Sequence, residues 1–154
     1  MTHILLAAFL IGVSTGLRSL TAPEVMSWAI RLGWLHPESR FLAFMGYPAT
    51  PFVWTVLAVG ELVVDKLPQA PSRKAPLGFT ARIVVGALCG AIFGSGGEAL
   101  IEGAIAGIAG AVVVTLGGYE ARVRLARLVG HDLPVALLED AIAIGGAILL
   151  VRLT

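Results

Sequence analysis

The chain has 154 residues, of which 57 % are hydrophobic and only 14 % charged, and its mean hydropathy is +0.90. A soluble domain carries roughly 25 % charged residues to keep its surface wet, so an ordinary soluble enzyme, a disordered linker and a basic nucleic-acid-binding module are excluded. The net charge of +1, from 11 Lys and Arg against 10 Asp and Glu, points to no partner of either sign. What fits is an all-α integral membrane protein, a single membrane domain over residues 1–154 whose first partner is the lipid bilayer.

The first apolar run covers residues 4–20. Met1-Thr2-His3 precedes it without a Lys or Arg, so it lacks the basic lead of a signal peptide and reads as a retained helix. Segment 22–35 is shorter, carries Glu24 and Arg31, and reads as a full or partial span. Runs 50–64, 81–94, 99–116 and 133–151 follow. A span needs about 20 mainly apolar residues, and in lipid every backbone group must be satisfied within the segment, so helices are expected throughout. Residues 66–80, with Pro68, Pro71 and Pro76 among Lys66, Arg73 and Lys74, predict a rigid cytoplasmic loop. Residues 117–132, with Arg122, Arg124 and Arg127, predict a second loop.

An offset of 78 positions lays Gly12 on Gly90, Gly16 on Gly94, Glu24 on Glu102, Ala58 on Ala136 and Glu61 on Glu139. It divides the chain into halves of approximately 1–77 and 78–154. Three helices per half is an odd number, so the second half enters the membrane inverted. About six transmembrane helices as two inverted three-helix repeats is the expected fold. With both termini outside, Arg18, Lys66, Arg73, Lys74, Arg82, Arg122, Arg124 and Arg127 fall inside, while Arg31, Arg40 and Arg152 stay outside. That is the asymmetry of the positive-inside rule.

Glycines recur four apart at Gly12 and Gly16, at Gly86, Gly90 and Gly94, and at Gly103 and Gly107. Such faces let helix backbones approach closely, within the chain or between copies. Cys89 is the sole cysteine, which leaves no disulfide and no Cys-based zinc site. His3, His36 and His131 have no metal-ligand spacing, and no cofactor or metal is expected. Gly94-Ser95-Gly96-Gly97 resembles a phosphate loop in composition only, since no Lys-Ser/Thr follows it.

Charges inside the apolar runs carry the functional hint. Glu61 and Asp65 are four apart and share a helix face. Glu139 and Asp140 lie in the last run, and Glu24 and Glu102 open the second helix of each half. Carboxylates at membrane depth face the bundle interior and find a partner. One reading is an ion-pair network in which Arg18 or Arg82 neutralises Glu61 and Asp65. Another is an ion or substrate site built from Arg18, Glu24, Glu61, Asp65, Arg82 and Glu139.

Gly16-Leu17-Arg18-Ser19-Leu20-Thr21-Ala22-Pro23 resembles the opening motif of a bacterial membrane family catalogued as domain of unknown function (DUF) 4126. So does Gly60-Glu61-Leu62-Val63-Val64-Asp65-Lys66-Leu67-Pro68, followed by Pro71-Ser72-Arg73, Pro76, Arg82 and Gly86-Ala87. The resemblance covers nearly the whole chain. It implies a small multi-pass protein of the bacterial inner membrane, brings no activity with it, and singles out Arg18, Glu61, Asp65, Lys66, Ser72, Arg73 and Arg82. Glu61-x3-Asp65-Lys66 is also similar to the Glu-x-Gly-Asp-Lys/Arg motif of calcium/manganese-class cation exchangers, with a spacing one residue longer and no glycine.

Three functions are therefore expected, in this order. The first is a secondary transporter or channel for a cation or proton-coupled solute. The second is a structural or accessory membrane subunit, as a homo-oligomer or in a larger complex, held by a buried ion-pair network. The third is a membrane enzyme or binder of lipid-linked phosphate at Lys66, Ser72 and Arg73.

Overall fold

The structure is a computed structural model that describes residues 1–70, 72 and 75–154. Among these residues the fold is all helical, with no strand. Helices α1 (Thr2–Leu17) and α2 (Thr21–Arg31) are separated by a tight corner at residues 18–20. A short 3₁₀ helix (Leu42–Gly46) leads into α3 (Thr50–Val64), and α4 (Pro76–Ser95), α5 (Leu100–Val129) and α6 (Asp132–Leu153) complete the chain. Helices α4, α5 and α6 are long and apolar enough to cross a membrane, while α1 and α3 are shorter apolar helices. This fits the all-α membrane protein that the composition predicts.

Helices α3 and α4 each start with a proline in their first turn, where the missing N–H has no helical partner to lose. The core is a three-helix unit of α1, α4 and α5 in backbone contact. A Cβ on Gly12 would run into the Gly107 carbonyl, one on Gly90 into that of Gly103, and one on Gly107 into that of Gly86. The glycine faces are thus internal. Gly12 faces Gly107 and Gly16 faces Ala111, so α1 and α5 run parallel. Gly86 faces Gly107 and Gly90 faces Gly103, so α4 is antiparallel to α5.

Helices α2 and α3 form an outer pair. Trp28 Nε1 donates to Thr55 Oγ1 at 3.0 Å, and its ring meets Phe52 edge-on at 5.1 Å. The indole serves as a joint between two helices. Helix α3 touches chiefly α2 and the 3₁₀ helix, and buries only Pro51 and Ala58. Helix α6 closes against α1 and α2. This gathers residues 18–20, the end of α3, the end of α5 and the start of α6 at one end of the bundle. Arg152 lies over the Trp34 ring, 3.8 Å from its centre, at the opposite end.

Two expectations need correction. Residues 117–129 are helical, not a loop. Helix α5 has 30 residues, about 45 Å, and so outruns a hydrocarbon core of about 30 Å; Arg122, Arg124 and Arg127 ride on its polar extension. Gly130, at φ +80°, supplies the left-handed turn that ends it. The loop expected over 66–80 stops at residue 75, because α4 begins at Pro76. The two halves also differ in how their helices pack. Helices α4 and α5 run together along most of their length, whereas α1 and α2 barely meet. Gly86, Gly90 and Gly94 have glycine partners on α5, and α2 contains no glycine at all.

Candidate functional site

Arg18 is the residue that follows α1, and it is 0 % exposed. A guanidinium in that position is tolerable only if its charge and donors are met. Its Nη1 is bonded to Asp65 at the end of α3. Its Nε donates to Asp140 Oδ1 on α6 at 2.6 Å, and Nη2 lies 2.5 Å from the same oxygen. Lys66 Nζ reaches the other Asp140 oxygen at 2.7 Å and donates to the Leu62 carbonyl at 3.2 Å. Two cations and two carboxylates from three parts of the chain thus form a neutral network that ties α1, α3 and α6 together.

Glu61, one turn before Asp65, does a different task. Its Oε1 accepts from the Ser19 backbone N–H at 2.8 Å and from Ser19 Oγ at 2.5 Å. Its Oε2 accepts from the Leu20 N–H at 2.9 Å. These groups lie at the N-terminus of α2, where unsatisfied amides and the positive end of the helix dipole favour an anion. Helix α3 therefore supplies the cap that α2 lacks in its own sequence.

A second cluster lies beside the first. Arg122 on α5 chelates Asp132 at 2.9 and 2.6 Å and donates to Glu139 Oε2 at 3.3 Å. It thereby spans the turn between α5 and α6. A cleft of about 740 Å³ opens between this cluster and the chain leaving α3. Lys66, Ser72, Tyr119, Arg122, Arg127 and Asp132 contribute its polar lining, and Leu67, Val123 and Leu133 part of its apolar wall. Arg82 is buried on α4 and donates to the Gly78 carbonyl at 3.1 Å. Glu24 sits half-buried on α2.

Of the residues singled out from sequence, Arg18, Asp65 and Lys66 meet in one network, with Glu61 beside them. Glu139 belongs to the Arg122 cluster, and Ser72 to the cleft. Arg82 donates to the carbonyl of Gly78 on its own helix, while Asp65 meets Arg18 and Glu61 meets Ser19 and Leu20. Arg73 lies outside the described residues, as do Pro71 and Lys74. The omitted partner is Asp140. The 78-position offset pairs Glu61 with Glu139, one position away from it. The small residues Ala136, Ala143 and Ala147 stand at helical spacing with Asp140, and the structure buries Asp140 on that face together with the adjacent Glu139.

Among the described residues no group of three or more His, Cys, Asp or Glu side chains could hold a metal ion. Two carboxylates held by an arginine and a lysine fasten helices. No family model, curated protein or solved structure matches the chain.

Proposed function

We propose that the chain is a structural or accessory subunit of the bacterial inner membrane, of the DUF4126 kind, fastened at its cytoplasmic end by the Arg18–Asp65–Asp140–Lys66 network. The observation that carries this reading is the complete burial of Arg18 between two carboxylates. A carboxylate that exchanges cations must be free to release its partner, and Asp65 and Asp140 are both held. In this reading the helices alternate in direction, with the 11-residue α2, about 17 Å long, spanning only in part, the halves are inverted in orientation, and both termini lie outside. The gathering of Arg18, Lys66, Arg122, Arg124 and Arg127 toward one end supports that orientation. The exposed apolar faces of α3 and α6 meet lipid and a membrane partner, either a second copy or a larger complex.

The test sets the scaffold against the transporter. Proteoliposomes holding the wild-type chain show no more cation- or proton-driven flux than empty vesicles, and replacing Arg18 lowers the melting temperature sharply. Flux that Glu61→Gln abolishes while melting is unchanged would reverse the choice.

The cleft favours a second reading, a binder of phosphate-bearing lipid headgroups. Arg127 and Lys66 line it beside the apolar wall of Leu67, Val123 and Leu133. Native mass spectrometry in mixed lipid nanodiscs tests this. Retained anionic lipid that Arg127→Glu releases supports it, and no preference between anionic and zwitterionic lipid refutes it.

A further inference from the structure

The helices that face lipid are not equally long. Helix α3 has 15 residues, about 22 Å, against a hydrocarbon core of about 30 Å. Phe52, Val56, Val59, Val63 and Val64 are exposed along its length. The shortfall lies at its Asp65 end, because the other end is level with its neighbours. There Arg152, near the end of α6, lies over the Trp34 ring just after α2. Ser27 of α2 donates to the Met45 carbonyl of the 3₁₀ helix, and Thr50 at the start of α3 donates to the Phe44 carbonyl of the same helix at 2.9 Å.

On the other side of the bundle the apolar surface runs further. Helix α5 packs on α1 and α4, whereas α3 packs on α2 and the 3₁₀ helix. Gly12 faces Gly107 and Gly16 faces Ala111 in parallel helices, which brings Arg18 level with Val113 of α5. Val113 is exposed, and so is Leu116 about one turn nearer the cytoplasmic end. The first charge beyond them on α5 is Glu120. Asp65 is bonded to Arg18. Helix α3 therefore ends in charge at a level where α5 still turns valine and leucine outward.

Lys66 supplies an independent observation. A lysine buried by its stem near a membrane surface extends its ammonium toward the headgroups. Here Nζ is drawn the opposite way, donating to the Leu62 carbonyl one turn back along α3 at 3.2 Å and to Asp140 at 2.7 Å. Its side chain still keeps 29 % of its surface open, and that of Asp65 keeps 21 %. A cation pinned in this way cannot reach up to a polar layer. The polar layer has to come down to it, and the cleft of about 740 Å³ beside it leaves the room.

We infer that the inner leaflet dips beside α3, bringing phosphate-bearing lipid headgroups down to Lys66 at a level where α5 still lies among acyl chains. A bilayer meets a short apolar belt by thinning locally. The bundle then imposes a step of about 8 Å, the difference between the length of α3 and a flat hydrocarbon core. This gives the chain a role toward the lipid itself, the thinning of the membrane along one face. The inference rests on the membrane-spanning reading and deepens the headgroup reading of the cleft.

Nitroxide depth measurements test it. Val56→Cys, Val63→Cys and Val113→Cys, each in a Cys89→Ala background, place single labels at exposed positions outside the packed core, with Leu116→Cys as a second reference on α5. The protein is held in vesicles of phosphatidylglycerol and phosphatidylethanolamine, and collisions with oxygen and with a water-soluble nickel chelate report the depth of each label. Measured from the inner surface of a flat leaflet, Val63 is about 3 Å deeper than Val113. In a dipped leaflet the order reverses, with Val63 about 5 Å nearer the headgroups than Val113 and level with Leu116. Val56 stays among acyl chains. Val63 as deep as Val113 or deeper, with Val56 in the acyl chains, would overturn the dip and leave the membrane-spanning reading standing. Water around Val56 would overturn both. Lipid retention with Arg127→Glu judges the headgroup reading separately.

Discussion

Arg18 and Asp140 are 122 positions apart in sequence, and the guanidinium Nε of one donates to the carboxylate of the other at 2.6 Å. One bond thus connects the end of the first helix with the interior of the last. Replacing Arg18 with methionine keeps much of its volume and removes all of its donors. It leaves Asp65 without its cation and Asp140 with Lys66 alone. Breaking a buried pair in this way costs about 3–5 kcal/mol. Thermal unfolding in detergent should show a large drop for Arg18→Met, and a smaller one of about 1–3 kcal/mol for Asp140→Asn, which retains an acceptor.

Glu61 is a cap, and its substitution should read as one. Glu61→Gln keeps one oxygen for the Ser19 and Leu20 amides and loses the charge, at about 1 kcal/mol. Glu61→Ala strands both amides at the start of α2 and costs up to about 2 kcal/mol. Hydrogen exchange should quicken at Ser19 and Leu20 in both variants, before any change in α4 or α5.

The two classes of glycine predict opposite signs for one chemical change. Gly107→Ala drives a Cβ into the Gly86 carbonyl and should destabilise by about 1–3 kcal/mol or more, as overpacking does. Gly90→Leu, against Gly103, should be worse. At Gly60 and Gly145 nothing lies within 4 Å of an added Cβ. There Gly→Ala should stabilise the helix by about 0.5–1 kcal/mol. Melting temperatures of the four variants check both signs together.

The proposed orientation is checked by cysteines introduced in a Cys89→Ala background. A membrane-impermeant maleimide applied to intact cells should label a cysteine at Ser39 and spare one at Ser72 or Arg127. The reverse pattern would turn the bundle over.

Much of this arrangement is legible in the sequence for a simple reason: charge is rare in apolar runs, so each charged residue there is conspicuous. Arg18, Glu61 and Asp65 stand out on that ground, and the bounds of α3 coincide with the expected run 50–64. The glycine spacing announces close packing, though which helices it joins depends on three-dimensional register. Two features are hidden. Hydropathy marks where a helix leaves the apolar slab and is silent on where the helix ends, so the arginine-bearing extension of α5 looks like a loop. And a one-residue difference decides which cation each of two adjacent buried acids meets. Asp140 meets Arg18, whereas Glu139, a rotation of about 100° away on the helix, meets Arg122.

The Arg18 network also sets an order on biogenesis. Ribosomes deliver Arg18 first, Asp65 47 positions later and Asp140 122 positions later. While the early helices are being inserted, the arginine has no carboxylate from α3 or α6 to neutralise it and must stay at the water boundary. Asp65 offers a first partner, and Lys66 arrives immediately afterwards to wait for the same acid that Arg18 lacks. Only emergence of α6 neutralises both cations. A nascent chain halted before that helix therefore carries two basic groups, Arg18 and Lys66, with Asp65 alone of the two carboxylates that meet them in the finished bundle.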